Sequence, residues 1–320
     1  MVIGVQKLQH TLASSAVCAG VGVHSGEQVH LAIHPAPAGS GVTFVRTDVT
    51  DRDNRILVSP SAVICTRLNT KVANATGVSV STIEHMMASL SALGIDNAVI
   101  EIDGPETPIM DGSALPFVQL LDRAGRRSQD AIRTYIEILE PVEVVDGDKR
   151  AALTPCDGFE MALEIAFPSA VIGRQQLEMT MTEQSFRAEL AAARTFGFVH
   201  EVDALRSAGL ARGGSHDNVI VIDGDSVLNE GGLRFENEFV RHKMLDAVGD
   251  LYVLGAPIIG RFEARYTGHA LNNALARTLM ASPQAWRLTP QPARGTAVAA
   301  SGSRVGGAHD HRYELRAGAR

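Results

Sequence analysis

One short pattern occurs twice in this sequence, each time between a helix-like segment and a strand-like segment. The motif L-x-x-L-G stands at residues 90–94 and again at 251–255, and an apolar run follows each copy. Glycine is common directly after the last turn of a helix, so both copies predict a helix that ends before a buried strand. The repetition predicts an internal duplication, in which two similar units each pack a β-rich layer against helices.

Capping and periodicity signals place the helices and strands of the two units. In the first half, the capping-box pattern Ser-Thr-Ile-Glu at 81–84 predicts that a helix begins there, followed by a buried strand at 97–102 and a second helix at 113–124. In the second half, 235–254 predicts a long helix and 257–264 the strand after it.

The length of 320 residues favours two domains. We place the linker at the polar segment 126–130, which divides the chain into a first domain at 1–127 and a second at 128–287. From residue 288 the chain lacks periodicity and large apolar residues apart from isolated Val and Leu, so it buries too little surface to offset chain entropy. The sequence therefore predicts a disordered tail at 288–320.

Charge and cysteine content argue against several classes of protein. The 29 Lys and Arg residues are outnumbered by 36 Asp and Glu residues, which leaves a net charge of −7 and no broad basic surface for nucleic acid. The three cysteines, Cys18, Cys65 and Cys156, are widely spaced, so no disulfide framework is predicted. No apolar run approaches the roughly 18 to 20 residues that span a bilayer. We expect a cytoplasmic protein without a membrane span.

A polar stripe on the long second-half helix is the first candidate site. His242, Asp246 and Asp250 are spaced by four residues, which puts them on one helical face. A histidine and a carboxylate at this spacing can both bind one Zn²⁺, and a third ligand from elsewhere would leave one position for water. When the two copies of the repeated motif are aligned, Asp246 is the position equivalent to His85. The alternative is a surface helix whose His and Asp only form hydrogen bonds.

The pair Glu84-His85 is the second candidate site, and two interpretations stay open. In one, Glu84 is residue N3 of a capping box and bonds the Ser81 amide. In the other, His85 is the third metal ligand, and Glu84 stays ionised at a helix N-terminus and accepts a proton from water. Both roles can partly hold.

A third candidate is His269, in the segment Tyr-Thr-Gly-His at 266–269 after a predicted strand. A histidine in a glycine-containing turn is expected to be exposed rather than tightly packed. Its pKa would then lie near neutrality, which suits a general acid.

Longer motifs link these residues to a known family. From about residue 6 to residue 286, the chain resembles the UDP-3-O-acyl-N-acetylglucosamine deacetylases, the zinc amidases of lipid A biosynthesis. The motifs that carry the resemblance are STIEH (81–85), GIDN (94–97), PIMDGS (108–113), RTFGF (194–198), LNEGGLR (228–234) and FVRHKMLD (239–246).

The resemblance implies an α+β fold of two similar two-layer β/α sandwich domains, a duplicated β-α-α-β arrangement. It also implies a small βαβ insert in the second domain, at about 194–224, that forms a hydrophobic passage for an acyl chain. These implications agree with the duplication that the repeated motif predicts.

The resemblance also implies a role for individual residues. The metal ligands would be His85, His242 and Asp246, and the cofactor Zn²⁺, although Fe²⁺ could fit the same set. The catalytic residues would be Glu84 as general base, His269 as general acid, Asp250 as its orienting carboxylate, Thr195 as oxyanion donor and Lys243 as a nearby cation. The substrate would contact Lys149 and Phe167 at the nucleotide and Phe196, Phe198, Ile64 and Cys65 along the acyl chain.

The function that follows is zinc-dependent hydrolysis of the 2-N-acetyl group of UDP-3-O-(3-hydroxyacyl)-N-acetylglucosamine, by a monomer that binds no nucleic acid. The alternatives are a metalloamidase for another N-acylated sugar, and a catalytically silent protein that binds nucleotide and acyl chain. Two departures from the family pattern bear on the substrate. Tyr266 replaces a common Lys near the diphosphate, and His216 replaces an apolar residue of the insert.

Overall fold

The computed structural model describes residues 7–290. Within these residues, the first half contains ten strands and two α-helices. The strands are β1 (Leu8–Leu12), β2 (Ala16–Val21), β3 (Gln28–Pro35), β4 (Val42–Arg46), β5 (Arg55–Leu57), β6 (Val63–Cys65), β7 (Lys71–Ala73), β8 (Ser79–Val80), β9 (Ala98–Ile102) and β10 (Arg126–Ile132), and the helices are α1 (Glu84–Ala92) and α2 (Leu115–Ala124).

The second half contains a similar set of elements. Its strands are β11 (Tyr135–Ile138), β12 (Val142–Asp146), β13 (Lys149–Thr154), β14 (Phe159–Ala166), β15 (Arg174–Thr180), β16 (Phe196–Phe198), β17 (Ile220–Asp223), β18 (Ser226–Val227), β19 (Ile258–Arg265) and β20 (Trp286–Thr289). Its helices are α3 (Glu183–Ser185), which continues as a π-helical turn at Phe186–Leu190, α4 (Val199–Ser207), α5 (Glu238–Tyr252) and α6 (His269–Met280).

The strand order confirms the predicted duplication. The first sheet runs β2-β3-β9-β4-β5, and β9 is antiparallel to β3 and parallel to β4. In the second half the same relations hold for β12-β13-β19-β14-β15, where β19 is antiparallel to β13 and parallel to β14. The central strand of each sheet follows a helix, α1 or α5, that ends at one copy of the repeated motif. The fold is therefore α+β with two similar layers of sheet and helix.

The insert of the second half has the predicted βαβ form. Strand β16 leads into α4, and β17 returns parallel to β16. Strand β18 then adds an antiparallel edge, so this small sheet extends to Val227.

The start of α1 differs from the predicted capping box. The helix begins at Glu84, so this residue is N1 and not N3. Thr82 adopts a positive φ of 58°, and the Ser81 amide donates to the Pro105 carbonyl instead of Glu84. The Thr82 hydroxyl donates to the buried Glu106 carboxylate at 2.7 Å, and this contact with a distant loop stabilises the unusual turn.

Strands lie at two of the predicted boundaries. The predicted linker at 126–130 lies within β10, which pairs antiparallel with β1. At the other end, β20 pairs with β11 through Leu288 and Thr289, so this strand includes the first two residues of the predicted tail. The rest of the predicted tail, from residue 291, lies outside the described residues. Between residues 7 and 290, every helix is too short or too polar to span a bilayer.

Candidate metal and catalytic site

Helices α1 and α5, one from each repeat, cross in direct contact between the two halves. Gly249 allows this contact, since a Cβ atom at this position would lie 2.0 Å from the carbonyl oxygen of Glu84. That distance is far shorter than a van der Waals contact, so the crossing requires glycine. It brings the first turn of α1 beside the polar stripe of α5.

Three predicted ligands converge at the crossing. His85 comes from α1, and His242 and Asp246 come from α5; all three are at most 3% exposed. Asp246 Oδ1 lies 3.5 Å from His85 Nε2 and 3.3 Å from His242 Nε2. One ligand atom from each residue can be chosen so that all three lie within 4.8 Å of one another. His85 and Asp246, which are equivalent positions in the register of the repeat, therefore lie side by side between the two halves.

The bonding of these groups fits a divalent metal. Asp246 Oδ1 is buried and has no hydrogen-bond partner, although an unpaired buried carboxylate oxygen is costly. The other oxygen, Oδ2, accepts a hydrogen bond from Lys243 Nζ at 3.0 Å. His242 Nδ1 donates to the Ala193 carbonyl at 3.1 Å, which leaves the lone pair of Nε2 facing the cluster. Two imidazole nitrogens and one carboxylate oxygen are a common catalytic zinc set.

Protonation also favours ligation. Burial lowers the pKa of His242 to about 4, so its imidazole is neutral at physiological pH. Burial alone would raise the pKa of Asp246, but His242 and Lys243 outweigh it and hold this pKa well below the ordinary value. Neutral imidazole and ionised carboxylate are the forms that bind metal.

Glu84 lies next to the cluster without belonging to it. It is 3% exposed, and its Oε2 accepts a hydrogen bond from the Thr70 backbone amide at 3.0 Å. Burial raises the pKa of Glu84, against the opposing effect of His269 and His85. A carboxylate with a raised pKa accepts a proton more readily than an exposed carboxylate with the ordinary pKa.

His269 is buried, which corrects the expectation of an exposed turn. It is the first residue of α6 and is 9% exposed, because α6 packs against α5. Its Nδ1 lies 2.9 Å from Asp250 Oδ2, as the predicted orienting role requires. Burial would lower the pKa of His269, but the carboxylates of Asp250 and Glu84 outweigh it and raise the pKa to about 9. His269 is therefore an imidazolium at neutral pH.

The backbone of Thr195 is fixed at the edge of the insert. Its amide donates to the Gly112 carbonyl, and its carbonyl accepts from Ile220, each at 2.8 Å. The adjacent Arg194 forms a buried ion pair with Glu238 at 2.9 Å, which anchors this segment to the first turn of α5. Thr195 therefore lies two residues from the Ala193 carbonyl that binds His242.

The predicted acyl and nucleotide residues separate into two groups. Phe196 lies against His242 at 6.4 Å between ring centroids, and Phe167 contacts both Phe196 and Phe198, at 5.6 and 6.0 Å. These aromatic rings form one wall beside the metal cluster. The other predicted substrate residues are Lys149, Ile64 and Cys65, and all three are exposed. Within residues 7–290, no hydrogen bond or ring contact joins them to the metal cluster.

Sequence reasoning missed residues that support the site. The Thr70 hydroxyl donates to Asp250 Oδ1 at 2.6 Å, and Asn272 Nδ2 donates to Asp250 Oδ2 at 2.8 Å. Asn272 follows His269 by three residues in a helix, a spacing that could have indicated a shared partner. Thr70 and Gly249 carry no local signal, since their importance comes from contacts between distant segments.

Comparison with known proteins identifies close relatives. Residues 9–281 match the family model described as UDP-3-O-acyl N-acetylglycosamine deacetylase. The chain is 64% identical over 280 residues to the UDP-3-O-acyl-N-acetylglucosamine deacetylase of Phenylobacterium zucineum, an alignment that covers 88% of this chain and 96% of that one. It is 49% identical over 282 residues to the enzyme of that name from Neisseria meningitidis, with 87% and 92% covered. For the Myxococcus xanthus enzyme of the same name the identity is 48%, with 88% and 89% covered.

Proposed function

Because the chain belongs to the UDP-3-O-acyl-N-acetylglucosamine deacetylase family, we propose that His85, His242 and Asp246 bind Zn²⁺ and that the surrounding residues hydrolyse the substrate's 2-acetamido group. The chain is a hydrolase of lipid A biosynthesis that releases acetate from UDP-3-O-acyl-N-acetylglucosamine. The observation that carries the metal proposal is the unpartnered, buried Asp246 Oδ1 between two imidazole nitrogens.

Glu84 would act on the attacking water together with the group that the ligand set holds. A divalent ion held by His85, His242 and Asp246 would supply Lewis-acid activation of a water molecule and of a carbonyl oxygen. Glu84 accepts the proton of the attacking water, and its position beside His85 in α1 supports this role. The Thr70 amide occupies Glu84 Oε2, which leaves Oε1 to take the proton.

His269 and Thr195 act on the leaving amine and on the oxyanion, respectively. His269 donates a proton to the amine nitrogen as the amide C–N bond breaks, and its pKa of about 9 keeps the proton available at neutral pH. Asp250 orients the imidazole through Nδ1, so Nε2 carries the donated proton. The Thr195 hydroxyl stabilises the developing oxyanion, and the Lys243 ammonium adds positive charge nearby.

The substrate would lie across the aromatic wall. The 3-hydroxyacyl chain would follow Phe196 and Phe198 toward Ile64 and Cys65, and the nucleotide would contact Lys149 and Phe167. Tyr266 stands at the position where the family commonly has Lys. Its hydroxyl accepts a hydrogen bond from the Arg265 guanidinium at 3.0 Å. That contact supports retention of a cation near the diphosphate.

The cellular setting follows from the same proposal. The substrate head is a water-soluble nucleotide, so we expect the enzyme to act in the cytoplasm. We also expect the enzyme to act as a monomer, and light scattering of the purified protein would test this expectation.

The experiment that tests the function is acetate release from UDP-3-O-(3-hydroxyacyl)-N-acetylglucosamine, before chelation, after chelation, and after Zn²⁺ or Fe²⁺ is restored. Activity that is lost and regained supports both substrate and metal. Equal turnover of substrates that lack UDP or the acyl chain would instead indicate an amidase for other N-acylated sugars. Absence of both activity and bound metal would indicate a silent binding protein.

A further inference from the structure

Thr70 contacts both proton-transfer groups of the proposed site. Its backbone amide donates to Glu84 Oε2 at 3.0 Å, and its hydroxyl donates to Asp250 Oδ1 at 2.6 Å. Thr70 is 1% exposed and lies directly before β7, in the first half of the chain. Asp250 lies 180 residues later, in α5. One residue therefore connects the predicted base in the first half to the carboxylate behind the predicted acid in the second.

The backbone of Thr70 is held in place from the helix that carries the base. Its carbonyl accepts a hydrogen bond from the Ile83 amide at 3.3 Å, directly before Glu84. The loop and the start of α1 are thus joined by two bonds, one through each backbone group of Thr70. This leaves the hydroxyl with a fixed direction toward Asp250.

The hydroxyl completes the bonding of Asp250. Oδ2 accepts from Asn272 at 2.8 Å and from His269 at 2.9 Å, whereas Oδ1 accepts from Thr70 at 2.6 Å and lies 3.1 Å from His269 Nδ1. Without the Thr70 hydroxyl, Oδ1 would keep only the longer contact with His269. The carboxylate could then rotate about its Cβ–Cγ bond, and the imidazole would follow it.

We propose that Thr70 is a positioning residue that fixes Asp250, and through it His269, relative to Glu84 across the two halves. The inference rests on the proposed deacetylase function. In the proposed role, Thr70 contacts neither the substrate nor the metal ligands. Its effect is to hold the acid and the base at a constant separation around the reacting carbonyl, which is a matter of geometry.

Two substitutions isolate the hydroxyl. In Thr70→Val the side chain keeps its shape and loses the donor, and kcat is expected to fall about 10- to 100-fold, the scale of one hydrogen bond to a charged group. KM and zinc content should stay at the wild-type values, because Thr70 contacts neither the substrate nor the metal ligands. Thr70→Ser restores the hydroxyl and should recover most of kcat.

A matched control is available in the same half of the chain. The Thr11 hydroxyl is fully buried, donates to Asn97 and accepts from the Ala36 amide, at 2.7 and 2.9 Å. Thr11→Val therefore removes at least as much buried bonding far from the site. It should lower the melting temperature at least as much as Thr70→Val and leave kcat unchanged.

A second readout does not depend on activity or metal. In protein labelled with ¹⁵N-histidine, the Nδ1 proton of His269 bonded to Asp250 should give a downfield resonance, assigned by its loss in His269→Gln. The resonance should shift or broaden in Thr70→Val, and stay unchanged in Thr70→Ser and Thr11→Val.

The outcomes distinguish a failure of the positioning role of Thr70 from a failure of the proposed deacetylase function. An unchanged kcat and an unchanged His269 resonance in Thr70→Val would overturn the positioning role, as would an equal fall of kcat in Thr11→Val. If the wild-type protein releases no acetate, the proposed function fails, and the resonance alone then decides whether Thr70 holds the Asp250–His269 pair.

Discussion

Replacing Gly249 by alanine tests how the two halves build the site. The added Cβ would lie 2.0 Å from the Glu84 carbonyl oxygen, 2.7 Å from its carbonyl carbon and 3.0 Å from its Cα. All three are backbone atoms of α1, so no flexible side chain can move aside. Carbon and oxygen approach no closer than roughly 3.2 Å, so the helices must separate by about 1 Å.

The cost of this separation can be estimated in two ways. Overpacking of a tight interior contact costs about 1 to 3 kcal/mol of unfolding free energy. A shift of about 1 Å in catalytic groups can lower the rate about 100-fold. Because the ligand His85 lies on α1 and the ligands His242 and Asp246 lie on α5, the shift would also weaken metal binding.

The assay combines zinc affinity, kcat/KM for acetate release and the melting temperature. Gly249→Ala should bind Zn²⁺ more weakly and lose about 100-fold in kcat/KM. Gly158→Ala is a suitable control, since a Cβ at that position meets no atom within 4 Å. Wild-type zinc affinity and wild-type kcat/KM in Gly249→Ala would refute the argument that the helix crossing sets the geometry of the site.

Two further predictions concern the acid and the base. Glu84→Gln should keep its bound zinc, measured by elemental analysis, and lose at least about 100-fold in kcat, since it removes a proton acceptor and no ligand; unchanged turnover would exclude Glu84 as the base. The pKa of His269 is raised to about 9, so loss of its proton should set the alkaline limb of the kcat/KM profile near that pH. The imidazolium should also contribute folding stability that is complete below about pH 6.5 and is lost as the pH rises through 9. Asp250→Asn removes the main cause of this shift, so both the limb and the loss of stability should move to lower pH; a profile that does not move would contradict the assignment.

The duplicated fold could be predicted because its signals are local. The glycines at 94 and 255 end both helices, and the apolar runs after them become the central strands β9 and β19. Spacing by four residues likewise placed His242, Asp246 and Asp250 on one face of α5. In each case the residues that determine the structure are neighbours in the sequence.

Features set by distant contacts could not be predicted in this way. The capping-box reading of 81–84 failed because Glu106, more than twenty residues later, binds the Thr82 hydroxyl and stabilises a positive φ. The exposure expected for His269 failed because Asp250 and the packing of α6 on α5 enclose it. The role of Thr70 could not be predicted, because its partner Asp250 is 180 residues away.

The ligand set itself is best tested by titrating metal-depleted protein with Zn²⁺ while acetate release is followed. Activity should rise linearly and reach its plateau at one zinc ion per chain. His242→Ala should neither bind Zn²⁺ tightly nor gain activity, whereas His30→Ala, which changes a histidine with a side chain 72% exposed, should behave as wild type. Full activity without metal, or one tightly bound zinc ion in His242→Ala, would contradict a catalytic metal held by His85, His242 and Asp246.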